Sequence, residues 1–400
     1  MPQLARRMGR AKPSAIMAVA EKAKALKAAG RDIISFSIGV PNFLPGEHVY
    51  AAAREALAKD SGQYGSNRGP DPLLDAFLAH IEALGLTGYT RAHCSTGIGA
   101  KHILYNLAEA LLDDGDTIMF PTPYWTSYLD IAEIVNAKIV TLPCPAEQHY
   151  KLTPAQLDAA LAEHKPKVFL FNNPSNPTGM VYTRDEIAAL ADVVVKHPDV
   201  WIVTDDIYNT MIFDGVGYHN FLHVKPELRD RVIFVDSLSK TYGMPGWRVG
   251  FMAGPESVAK AVTTLNSNHI TNIPEITVAA AVAALSGPQD VPHAKTREFQ
   301  NKRDEVLAVL ESIPGVHCPR PQGAFYVFPD ISCAFGKSHH GTKIANDVDL
   351  CNALLEAKGV ACVPGSAFGE PNALRISYTC PTAQLGDGMQ RIKDFFLELS

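Results

Sequence analysis

Three side chains stand where their types and surroundings suit chemistry: an amine, a carboxylate and an arginine. Lys240 lies in Ser237-Leu238-Ser239-Lys240-Thr241-Tyr242-Gly243, with Arg248 eight positions on. It follows the apolar run Val232-Ile233-Phe234-Val235. That order predicts a strand, then a glycine-rich loop, with the amine at the strand's C-terminal edge. An amine so placed can form an imine with an aldehyde cofactor. Ser237 and Arg248 both suit a phosphate, arginine through its planar fork of donors. Asp205 ends a second apolar run, in Val203-Thr204-Asp205-Asp206-Ile207-Tyr208. A carboxylate there carries a desolvation cost unless it is paired, and a pyridinium N–H would pair it. Opposite charges about 4 Å apart at an effective dielectric near 20 gain roughly 4 kcal/mol, or about three pK units. Tyr208 can donate to a phenolate oxygen on the same ring. Asp206 is expected to face the other way, into solvent. Arg375 sits inside the apolar run Asn372-Ala373-Leu374-Arg375-Ile376-Ser377. It needs an anion, either a substrate α-carboxylate held in a bidentate clamp or an internal salt bridge.

Three further strings supply parts. Ser95-Thr96-Gly97-Ile98-Gly99-Ala100-Lys101 precedes a helical pattern, and backbone N–H groups at a helix N-terminus bind phosphate. Trp125, in Pro121-Thr122-Pro123-Tyr124-Trp125, either stacks on a planar ring or belongs to the core. Asn172-Asn173-Pro174-Ser175-Asn176-Pro177-Thr178-Gly179 makes a rigid turn. From it Asn176 can reach a phenolic oxygen or a substrate carboxylate.

The elements that must position these residues alternate. Strands are expected at 117–120, 137–142, 167–171, 200–204, 232–235 and 249–253, with helices at 100–112, 124–135, 154–163 and 184–196. Such alternation predicts an α/β protein with a mainly parallel sheet covered on both faces. Ligands of such sheets bind beyond the strands' C-terminal ends. Residues 45–285 are expected to form the large domain. Residues 1–44 and 286–400 form a smaller α+β unit, with strands near 33–38, 323–329, 360–363 and 373–378. The chain has 400 residues, 46% hydrophobic and 20% charged, and a net charge of −6. No basic face is implied, so nucleic acid is not an expected partner. The apolar run at 278–285 is too short to span a bilayer. Seven dispersed cysteines without metal spacing suit thiols in a reducing cytoplasm. His339-His340 falls in a polar loop with no partner at ligand spacing, so solvation and no metal centre are expected. The arginine-bearing N-terminus has no apolar core behind it and does not read as a secretory signal.

Assembled, these strings resemble the class I pyridoxal-phosphate aminotransferases of fold type I, nearly end to end. The most specific pieces are residues 173–179, Asp205 with Tyr208, and residues 237–248 around Lys240. Within that family the chain is most similar to bacterial-type aspartate aminotransferases, which share an opening such as Lys12-Pro13-Ser14-Ala15. The resemblance implies pyridoxal 5'-phosphate as cofactor and a seven-stranded sheet. It makes Lys240 the imine-forming and proton-shuttling residue and Asp205 the partner of the ring nitrogen. Tyr208 and Asn176 would hold the phenolic oxygen, and Trp125 would stack on the ring. Gly99, Ala100, Lys101, Ser237 and Arg248 would surround the phosphate. Tyr64 resembles the tyrosine that reaches a neighbouring subunit's phosphate, which implies a homodimer. Gly39 and Arg375 would contact the substrate α-carboxylate, with Trp125 and Asn176 beside them. Lys12 occupies the place of a lysine that reads a distal carboxylate, unless it is only a surface charge. The implied reaction moves an amino group from an L-amino acid, of aspartate or glutamate type, to a 2-oxo acid such as 2-oxoglutarate. Aromatic, prephenate or broad donor specificity, or a lyase on the same fold, are the alternatives. Pro245, Val40, Asn42 and His102 depart from the family pattern, and Glu109 stands where some relatives carry lysine.

Overall fold

The computed structural model describes residues 3–60 and 62–400. Seven strands form its main sheet: β1 (Cys94–Gly97), β2 (Thr117–Thr122), β3 (Lys138–Pro143), β4 (Val168–Asn172), β5 (Trp201–Asp205), β6 (Val232–Ser237) and β7 (Gly250–Ala253). Their spatial order is β1-β7-β6-β5-β4-β2-β3. β7 runs antiparallel to both neighbours, and every other pair is parallel. All six residues of β6 are buried. Helices cover both faces, so a central parallel strand reads as a continuous apolar run.

Register then places the chemistry. Asn172 closes β4 directly opposite Asp205, which closes β5. Ser237 closes β6, and a short helix, Leu238–Thr241, carries Lys240 just beyond it. Three neighbouring strands thus end in polar side chains along one edge of the sheet.

A second assembly lies at the other end of the sequence. Leu374–Ser377 pairs antiparallel with Val363–Pro364 and with Tyr326–Val327. Ile34–Ser35 pairs parallel with Val360–Ala361, so the N-terminal segment packs on C-terminal elements. Ala23, Ile33, Leu355 and Ala361 form their joint core. Arg303, wholly buried on the helix Asp290–Glu311, grips Asp214 through two nitrogens at 2.7 and 2.8 Å.

Several elements differ from expectation for physical reasons. β1 has the sequence Cys-Ser-Thr-Gly, which carries no strand pattern; it is an edge strand held by pairing to β7. The apolar run at 278–285 is the middle of a helix, Glu275–Ser286, packed against the helices Glu47–Lys59 and Asp71–Ala83. The strands expected at 33–38 and 323–329 each shrink to two paired residues. His339, expected in solvent, is buried at 5% exposure, and Asp206 is buried at 1%. Asn220 donates to Asp206 at 3.0 Å, and burial holds that carboxyl well above its ordinary pKa. No described helix is long and apolar enough to cross a membrane.

Candidate active site

A cavity of about 270 Å³ opens beyond the C-terminal ends of β4, β5 and β6. Asp205, Lys240, Ser237, Asn176, Trp125 and Arg375 all line it. Gly39, Ala100, Lys101, Tyr208 and Arg248 also line it, whereas Gly99, Lys12 and Tyr64 are not in its wall.

Asp205 is 1% exposed. Its Oδ2 accepts a hydrogen bond from the Tyr128 hydroxyl. Its Oδ1 has no partner among the described residues. Burial lifts the carboxyl to about 6, against the pull of the Tyr128 hydroxyl and then of the Ile207 backbone N–H. At neutral pH a mostly ionised, half-bonded carboxylate therefore faces the cavity, and such a group costs several kcal/mol unless paired. The pyridinium N–H of pyridoxal phosphate matches that orphan oxygen in charge and in donor chemistry.

Lys240 Nζ donates to the Gly39 carbonyl at 2.6 Å. Burial lowers its pKa to about 8, helped by the positive charges of Arg375, Arg248 and Lys101. An amine with that pKa keeps a useful free-base fraction near neutrality. Gly39 is required by close approach, since a Cβ there would sit 2.1 Å from the Tyr326 hydroxyl.

Arg375 is 1% exposed, with its guanidinium between the rings of Tyr326 and Phe368 at 4.8 and 4.9 Å. Nη1 donates to Asn176 Oδ1 at 3.1 Å and Nη2 to the Ser37 carbonyl at 2.6 Å, while Nε has no partner. No described carboxylate pairs with it, so the internal salt bridge is not formed. A buried cation with neutral acceptors and an idle nitrogen is prepared for an anion. Arg375→Lys loses the fork, and kcat/KM for every amino-acid donor should fall by about 100-fold. That lies within the 2–5 kcal/mol cost of breaking a buried charge pair. Steady-state kinetics on two donors checks this.

The phosphate end is equally specific. The helix Ala100–Leu111 begins at Gly99, whose φ is +94°. The first N–H groups of a helix have no intrahelical acceptor. Arg248 donates nearby to the Pro245 and Ile98 carbonyls at 2.8 and 2.9 Å. A Cβ on Gly99 would sit 2.4 Å from Arg248 Nη2. Lys101 Nζ lies 5.0 Å from the centre of the half-buried Trp125 ring. Ser237 Oγ accepts from the Ser239 N–H at 3.3 Å.

Some expected residues lie elsewhere. Lys12 is 65% exposed, paired with Glu133 at 3.0 Å, and outside the cavity wall. Tyr64 is 87% exposed and does not line this chain's own cavity. Glu109 pairs with His269 at 3.4 Å on a different surface groove. Three contributors escaped the sequence reading. Tyr128 anchors Asp205; its place in the first turn of the helix Thr126–Ile134, just after the Trp125 N-cap, was the available signal. Asn172 donates to the Asp205 carbonyl at 2.6 Å and accepts from the Asn176 N–H at 2.8 Å. Tyr326 meets the Tyr208 hydroxyl at 2.9 Å, and nothing local in the sequence marks it.

Comparison with known proteins agrees with this chemistry. Residues 31–392 match the family model for aminotransferase class I and II. The aspartate/prephenate aminotransferase of Cereibacter sphaeroides is 41% identical over 394 residues, covering 98% of each chain. The aspartate aminotransferase of Geobacillus stearothermophilus is 37% identical, again with 98% of each chain covered. The crystal structure of the aspartate aminotransferase from Rhizobium meliloti superposes with a TM-score of 0.96, at 36% identity and with all of both chains covered. A cavity fitted to a phosphorylated pyridine aldehyde and an end-to-end match converge: the chain belongs to the class I and II aminotransferases, pyridoxal-phosphate-dependent transaminases of fold type I.

Proposed function

We propose that this transaminase takes the amino group of L-aspartate or L-glutamate and passes it to a 2-oxo acid such as 2-oxoglutarate. The observation that carries the reading is the single cavity shared by Lys240, Asp205 and Arg375. Pyridoxal phosphate, when bound, supplies an electron sink for the electrons left when the substrate α-proton departs. Asp205 would hold a proton at the ring nitrogen through its free Oδ1. Tyr208 and Asn176 would orient the phenolic oxygen, and Trp125 would cover the ring. Gly99, Ala100, Lys101, Ser237 and Arg248 would hold the phosphate. Arg375, with Gly39 beside it, fixes the substrate carboxylate, so the α-hydrogen has one orientation. Lys240 Nζ then takes that proton. A ping-pong exchange of amino and oxo acids on this one site follows.

The aspartate assignment is supported by relatives named for that activity. A second reading, aromatic or prephenate donors, is favoured by Ile16 and Met17 at the cavity wall and by the pairing of Lys12 with Glu133. A donor panel against 2-oxoglutarate separates the readings. In Lys12→Ala, kcat/KM for aspartate should fall up to about five-fold, the scale of an exposed ion pair, with phenylalanine unchanged. An equal change for both donors removes Lys12 as the reader of a distal carboxylate. Turnover of one amino acid without any oxo-acid acceptor would instead indicate a lyase.

The working unit we infer is a homodimer with shared sites. Arg248 and Tyr64 are exposed in one chain. Next to Arg248 in sequence, residues 41–45 together with Gly243 and 245–247 line a groove of about 550 Å³ that a second copy would cover. Two lobes, 45–285 and 1–44 with 286–400, would close over the substrate between them. All seven cysteines are free thiols, which suits a reducing cytoplasm.

A further inference from the structure

We propose that His339, His340 and Glu398 form a zinc site that clamps a surface hairpin to the C-terminal helix, away from the transamination cavity. The hairpin pairs Ser338–His339 with Thr342–Lys343. His340, at its turn, has a φ of +46°, and this left-handed turn brings two consecutive imidazoles to one carboxylate. Glu398 caps the C-terminus of the helix Thr382–Leu397, where the unpaired carbonyls favour a cation. His339 Nε2 lies 2.9 Å from Glu398 Oε2, and His340 Nε2 lies 3.8 Å from the same oxygen. All three ligand atoms fall within 4.8 Å of one another, the one such group among the described residues. Zinc–nitrogen and zinc–oxygen bonds near 2.0–2.2 Å, at a tetrahedral angle, put neighbouring ligand atoms about 3.3–3.5 Å apart. The two observed separations bracket that value, so small side-chain shifts complete the site, with water as fourth ligand.

The surroundings suit the role. The Phe395 ring stacks on His339 at 4.6 Å and 21°, which fixes the imidazole plane. Lys358 Nζ holds the other oxygen, Oε1, at 2.6 Å, orienting the carboxylate as outer-shell partners do. Two imidazoles select zinc or a similar transition ion over calcium or magnesium.

The test uses tag-free holoenzyme, titrated with zinc chloride against a chromophoric chelator while the Tm is followed. One equivalent per chain and a raised Tm are expected. His340→Ala and Glu398→Gln should each weaken binding about ten-fold or more and remove the Tm rise, with transamination unchanged. His340 is 79% exposed, so its replacement leaves the fold intact. No saturable binding to the wild type, or equal affinity in His340→Ala, overturns the proposal.

Discussion

Lys240→Ala should retain its fold and bind pyridoxal phosphate but lose turnover by about 10⁴-fold, the upper range for a positioned proton-transfer group. Lys240 is the amine bonded to the Gly39 carbonyl, within the same cavity wall as Asp205 and Arg375. Lys101, the other lysine there, sits at the phosphate end over Trp125 and cannot substitute. The depressed pKa adds a pH signature. Burial and neighbouring cations bring Lys240 to about 8, so its reactivity toward an aldehyde in cofactor-free protein should rise with a midpoint near 8. A stopped-flow series across pH 6–10 on the order of one-unit steps reads it. Near-normal turnover in the alanine variant would remove Lys240 from the chemistry.

Asp205→Asn should do two opposite things. Activity should fall by about 10³-fold, because asparagine cannot hold a proton on the ring nitrogen with the roughly three pK units that a nearby charge supplies. Stability of the cofactor-free protein should rise. The folded-state carboxyl titrates at about 6, against 3.8 for the free group, so the unfolded chain ionises first. Stability is therefore lost as pH climbs from about 4 to about 6 and stays lost above, a cost on the order of 3 kcal/mol. Asparagine does not ionise and avoids that cost. Urea unfolding should show the variant more stable at pH 7.5, with the difference vanishing toward pH 4. Equal stability at both pH values, or unchanged turnover, would contradict this role. Such a residue trades stability for function.

How much of this was legible beforehand depended on whether the signal was local. Asp205, Ser237 and Lys240 were readable because each ends or follows an apolar strand buried on both faces. Sequence order along a parallel sheet becomes position along one edge. Arg375 was readable as a charge inside an apolar run, but its lack of an anionic partner was not, since Ser37 and Asn176 reach it from distant segments. Tyr326 stayed invisible for the same reason. Lys12 and Tyr64 came from resemblance alone. One chain places Lys12 beside Glu133 and Tyr64 in solvent, and neither environment follows from local pattern. His339 and His340 carry no local sign of a partner because Glu398 is 58 or more residues away in sequence. Only the packing of the hairpin against the last helix brings them together.

The central claim is that one buried amine faces one buried carboxylate across the same bound ring. Borohydride reduction of the holoenzyme, followed by peptide mapping, tests it most directly. The account predicts a single pyridoxyl label, on Lys240; a label on Lys101, or on no lysine of the cavity, would contradict it.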